Sequence, residues 1–277
     1  MKYVFILLII FLLMLSGGIS QAYSEDFQTF KERVKPRYYY LLAGSVQNFS
    51  CYLTTQTYIG FLKERSDTVN TYPLKFIWTR EGKIYYVLQP YPGMENSSER
   101  AKILEKIQLM KNQFHGFYLD WLNFLISSPL DDIPMTAEMR QRGDSILVSY
   151  VVDDQGSPVQ VTKTFVQSGR LISVEVITTS EKVLNYPLYN EVEGKWVCSA
   201  LNTQLYQDST ITSGLYTQLE LRKIDQEWYP ARADVIVQTM ENPNEKFIST
   251  LYFKEYEFNL PLQELADPQK PDSTDHQ

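Results

Sequence analysis

Histidine is nearly absent from this chain: its 277 residues include only His115 and His276. Cysteine is as scarce, with Cys51 and Cys198 alone. No H-E-x-x-H or C-x-x-C pattern occurs, so the familiar ligand spacings for zinc and other transition metals are missing. The glycine patterns that cradle nucleotide phosphates are missing too, as is the G-x-S-x-G elbow of serine hydrolases. A cysteine nucleophile would need His115 beside one of the two thiols, and nothing local arranges that. Basic side chains are scattered, 26 Lys+Arg against 33 Asp+Glu for a net charge of −7. That argues against nucleic acid and against a strongly anionic membrane surface as partners. The expectation is a non-catalytic protein with no cofactor and no metal site.

What is present begins at the N-terminus. Residues 4–15, VFILLIIFLLML, form an unbroken apolar run between Lys2 and the small-residue segment SGGISQA. A short basic start, a short apolar core and small residues at Ser20 and Ala22 predict a secretory signal peptide over 1–22. The run is shorter than the roughly 20 apolar residues that span a bilayer. The expectation is therefore an exported chain, periplasmic in a bacterium and otherwise secreted, with no stable membrane span after cleavage. No cysteine sits at the cleavage position, so no lipid anchor is expected. In an oxidising compartment Cys51 and Cys198 invite a disulfide. The alternative is two buried thiols on separate strands.

Hydrophobic periodicity supplies the fold class. Phe27, Phe30, Val34 and Tyr38 are spaced three and four apart, which predicts a short amphipathic helix ended or kinked by Pro36. Residues 49–61 read as a strand rich in Thr and aromatics. In PLKFIWTREGKIYYVLQP, Leu74, Phe76 and Trp78 alternate before a turn at Gly82, and 84–88 return as a hairpin. Ile103, Ile107, Met110, Phe114, Phe117, Trp121 and Phe124 follow at spacings of four and three. They predict one long aromatic-rich helix over 98–127, with Gly116 as a possible bend and Ser97 or Ser98 as its cap. From Ser145 onward short strands alternate with Gly, Pro, Asn and Asp turns, with a loop between the strands over 171–179 and 195–206, the pattern of an antiparallel meander. The adjacent acids Asp131-Asp132 and Asp153-Asp154 read as solvated turn residues. The tail over 267–277 has no apolar residue to pack and is expected to be disordered. The expected class is α+β: a curved antiparallel sheet or unclosed β-barrel covered by a long helix and a short N-terminal one. Residues 23–266 are expected to form one domain.

The order of these parts resembles the LolA/LolB-like superfamily of periplasmic lipoprotein carriers. The likeness rests on the opening strand VQNFSCYLTTQTY, on the apolar-x-Trp-x-x-x-Gly-Lys hairpin, and on Trp228-Tyr229-Pro230 followed by the last strand FISTLYFKEYEFN. This chain is longer than the typical carrier and its central helix is longer. The family's barrel arginine has no clear counterpart, since Arg80 falls in the hairpin turn. The resemblance implies an unclosed barrel with an apolar cavity under its helices for lipid or lipoprotein acyl chains. Phe76, Trp78, Phe117, Trp121 and Phe124 would line such a cavity, unless they fill it as ordinary core. The alternative function is a non-catalytic envelope protein that binds another protein through its helix or a sheet edge.

Overall fold

A computed structural model of the chain describes residues 25–64, 71–89, 97–154, 156–242 and 244–261. The expected signal peptide over 1–22 and the expected disordered tail over 267–277 lie outside the described residues.

The class is α+β. Twelve strands form one antiparallel, unclosed sheet in the order β3-β2-β1-β12-β11-β10-β9-β8-β7-β6-β5-β4. The first three are β1 (Asn48–Thr55), β2 (Leu74–Thr79) and β3 (Ile84–Leu88). The rest are β4 (Glu138–Arg142), β5 (Ser145–Asp154), β6 (Ser157–Val166), β7 (Leu171–Ile177), β8 (Lys182–Val192), β9 (Lys195–Gln207), β10 (Thr210–Ile224), β11 (Glu227–Thr239) and β12 (Lys246–Phe258). The strands from β5 to β12 run as a meander from Ser145 onward, as expected; β4, not read from the sequence, precedes them and pairs with β5, and β1 closes onto β12 with Leu53 opposite Phe253. The two edges, β3 and β4, are consecutive in the chain, and the long helix α3 (Ser97–Trp121) crosses between them. Edge strand β4, EMRQR, carries charge along its exposed length, a common defence against edge-to-edge pairing.

The N-terminal helix, α1 (Phe27–Val34), starts at Asp26, whose carboxylate accepts the Thr29 amide at 2.7 Å. Its stripe buries Phe27, Phe30 and Val34. Pro36 ends it in a single 3-10 turn, Lys35–Arg37. The chain then enters a split in the sheet. Strand β7 pairs with β8 only from Val174 onward, and β10 pairs with β9 only up to Gln218. Tyr38 and Tyr39 fill the resulting openings. The Tyr38 hydroxyl donates to Gly169 O at 2.9 Å and accepts from Leu171 N at 2.6 Å. The Tyr39 amide donates to Trp196 O at 3.0 Å. Gly169 has a positive φ of 93°, and a Cβ there would stand 2.3 Å from Val34 Cγ2. Gly169→Ala is therefore expected to loosen α1 from the sheet at a cost of about 1–3 kcal/mol. The loss would appear as a lower urea midpoint and faster amide exchange over 27–39.

Two local readings are corrected. Residues 49–61 do not form one strand: β1 stops at Thr55, and Gln56–Glu64 is a helix, α2. The Thr55 hydroxyl accepts the Tyr58 amide at 3.1 Å and caps that helix. Tyr58 and Leu62, four apart, then turn inward together. The segment between β7 and β9, which reads as a loop, is strand β8 despite Pro187. Proline is tolerated there because pairing with β7 ends at Asn185, so one flank of the strand has no ladder to serve.

Of the two readings of Cys51 and Cys198, the structure holds the second, two buried thiols on separate strands. Both thiols are free and buried. Cys51 lies on β1 and Cys198 on β9, with β12, β11 and β10 between them in the sheet. Their surroundings differ as well: Cys51 neighbours Tyr256, while Cys198 donates to Ala200 O.

Candidate functional site

The long helix appears where its spacing places it, with the first turn at Ser97. Its last turn widens into a π turn, Leu122–Ile126, closed by Ser127 N donating to Leu122 O at 2.9 Å. The wider turn lets the consecutive residues Phe124, Leu125 and Ile126 all point into the core. On its buried stripe Trp121 packs against Phe49, Phe76, Phe117 and Phe253 at ring separations of 5.4–6.3 Å. Phe49 lies at the centre and also touches Trp78, Tyr229 and Tyr256.

Four of the five residues expected to line a cavity, Phe76, Trp78, Phe117 and Trp121, are thus brought into one aromatic assembly. Phe124 lies beyond it, against Cys198, Leu201 and Thr217. All five are buried. The voids among them are small. One lies beside Phe76 and Tyr86 and one beside Phe124 and Leu201, each ≈ 10 Å³, about one water probe. Under the aromatic stripe the rings therefore fill the space.

Open volume lies one face further round the helix. Asn112, Gly116 and Asp120, spaced by four, stack turn over turn and face the concave side of β10, β11 and β12. Between helix and sheet is a cleft of ≈ 220 Å³. Its floor follows from strand register. Leu215 is opposite Val237, and Val237 opposite Phe247. Thr217 is opposite Val235, and Val235 opposite Ser249. Two three-residue rows are thus set side by side on one face, since alternate residues of a strand share a face. The roof is missing because Gly116 has no side chain: a Cβ built there meets nothing within 4 Å. Ser249 donates to Gln113 Oε1 at 3.3 Å and ties β12 to the helix. Of the five expected lining residues, Phe117 alone borders the cleft.

One titratable group stands in this apolar setting. The Asp120 carboxyl is raised to about 6 by burial. The other titratable neighbour is the Cys198 thiol of β9, pushed up to about 12 by burial. Sequence reasoning marked Gly116 only as a bend and passed over Asp120, because both lie beside the aromatic stripe. The signal was there: an acid four residues after a glycine, flanking an unbroken hydrophobic face. Among the described residues no group of three or more His, Cys, Asp or Glu converges on a possible metal position, and His115 is exposed.

The acidic turns divide. Asp153 is exposed at the end of β5 and accepts the Gly156 amide of the following turn at 2.7 Å. Asp131 and Asp132 are more than solvated turn residues. Asp131 pairs with Lys35. Asp132 pairs with Lys163 Nζ and accepts the Tyr150 hydroxyl at 2.7 Å. Lys163 is buried, and its Nζ also donates to Pro129 O at 2.7 Å. Its pKa is lowered by burial, against the pull of Asp132. Arg80 sits in the hairpin turn and donates to the carbonyls of Leu42, Gly44 and Val46. It pins the segment before β1 to the β2–β3 turn, where Gly82 takes a φ of 81°.

Compared with protein-family models, with curated proteins and with solved structures, the chain matches none of them. No helix among the described residues is long and apolar enough to cross a membrane.

Proposed function

We propose that this chain is an exported, non-catalytic carrier or binder of lipid or lipoprotein acyl chains, distantly related to the LolA/LolB-like carriers. The acyl chain occupies the cleft between α3 and β10–β12. The observation that carries this reading is the ≈ 220 Å³ cleft with a floor of Leu215, Val235, Val237, Phe247 and Leu251. The cleft is far larger than the ≈ 10 Å³ voids under the aromatic stripe and has room for a segment of an acyl chain. Each buried methylene contributes about 0.8 kcal/mol. The remainder of a longer chain would emerge across Phe247, which is 56% exposed at the border of the cleft. An unclosed sheet crossed by a long helix is also the arrangement that the resemblance implies.

Gly116 allows a test in which binding and stability move in opposite directions. Gly116→Leu puts a side chain into open space above the cleft floor. It is expected to abolish uptake of a fluorescent acyl probe. It is also expected to raise the urea midpoint, because glycine inside a helix costs roughly 0.5–1 kcal/mol. Full uptake by this variant would remove the cleft as the binding site.

The second reading, capture of another envelope protein, draws on exposed apolar residues of the helix and of a sheet edge. Leu109 is 50% exposed one helical turn before Gln113, and Leu88 is 42% exposed at the end of edge strand β3. A purified monomer with no bound lipid and no probe uptake, which gains mass with a partner protein, would favour it.

A further inference from the structure

Asp120 borders both the ≈ 220 Å³ cleft and the small void beside Phe124 and Leu201. Its carboxyl therefore stands at the inner end of the cleft. No lysine, arginine or histidine lines either space, and among the described residues no group pairs with Asp120. Asp120 is half-buried, so its carboxylate lines the cleft with no cation beside it and is open to a charged partner brought by a ligand. The thiol of Cys198 cannot compensate it. Thr217 and Ser249 supply hydroxyls nearby but no charge.

We propose that the ligand of this cleft is an alkyl chain whose buried end carries a protonated amine, with the ammonium held by the Asp120 carboxylate. The proposal rests on the reading of the cleft as an acyl-chain site and names the head group that the site selects. An ammonium would give the carboxylate the partner that the protein lacks, in surroundings where a charge-assisted hydrogen bond is strong. A fatty-acid head would place a second anion beside the first and should be rejected from the inner end.

The test compares n-decylamine, n-decanol and n-decanoate, each below its micelle concentration, by isothermal titration calorimetry with the intact chain. At pH 7.5 decylamine is expected to bind at least tenfold tighter than decanol, and decanoate more weakly than either. Asp120→Asn should erase the amine's advantage while leaving decanol binding within about twofold. The wild-type protein gives an independent readout. Asp120 becomes protonated as pH falls through about 6, so the amine's advantage should shrink between pH 7.5 and pH 5. The amine stays charged throughout, and the raised Cys198 thiol stays neutral over that range. Equal binding of decylamine and decanol, or an advantage that survives Asp120→Asn, overturns the head-group proposal and leaves the apolar cleft standing. Failure of all three ligands to bind overturns both.

Discussion

Phe49→Ala is expected to cost about 3–5 kcal/mol, the range for deleting a fully buried aromatic side chain. That is a large part of the ~5–15 kcal/mol that holds an ordinary domain together. Phe49 is 0% exposed and packs its ring against five others, from β2, β11, β12 and α3. Its ring partners are rigid and collapse poorly into a cavity. The loss should appear as a large fall in the urea midpoint with little change in slope. It should be shared by all probes, because β1 joins the hairpin to the last strand and α3 packs on both. Phe49→Leu, which keeps most of the volume, should recover much of the loss. Near-wild-type stability of Phe49→Ala would mean that the aromatic assembly is not the centre of the core.

The second large effect concerns Lys163. Asp132→Ala leaves a buried ammonium with the Pro129 carbonyl as its remaining partner. It is expected to destabilise by about 3 kcal/mol, the low end for breaking a buried pair because Asp132 itself is 61% exposed. Lys163→Met, which removes the charge and keeps the stem, should be neutral or stabilising in the same assay. The two variants therefore separate the cost of an unpaired charge from loss of packing. The pH dependence has a fixed sign. The Lys163 pKa is lowered in the folded state, so between that value and its ordinary 10.5 the unfolded chain binds more protons, and stability rises with pH there. Asp132→Ala removes the group that holds the pKa up and should widen this window toward lower pH. Equal stabilities for Asp132→Ala and Lys163→Met at pH 7 would show that the pair contributes nothing as a pair.

Most of the architecture was legible because hydrophobic period and turn chemistry agreed. The stripe from Ile103 to Phe124 repeats every three or four residues, and only a helix puts those residues on one side. The meander is punctuated by glycines whose positive φ the turns require, such as Gly156 and Gly194. Strand β8 was not legible, because Pro187 argues against a central strand and only the local end of β7 pairing makes it tolerable. Helix α2 was not, because Thr and aromatic residues carry a strand preference that the Thr55 cap and the inward pair Tyr58 and Leu62 override. The candidate site was less legible than the fold. The conspicuous rings at 76, 78 and 121 build solid core. The cleft arises from a side chain that is missing, at Gly116, above rows of ordinary Leu and Val that come together only through the register of β10, β11 and β12.

The pairing of β1 with β12 has a consequence for how the protein is made. Ser50 donates to Glu257, 207 positions away, and Asn48 bonds both backbone groups of Leu260. Any ribosome or channel that releases the N-terminus first must deliver nearly the whole chain before β1 meets its neighbour. Loops of that length close slowly. Until then β1, the hairpin and the greasy side of α3 wait without their mate, so a nascent chain of this kind stays slack and sticky until its final strand arrives. A chaperone's window of action would be set by the birth of the last strand rather than the first.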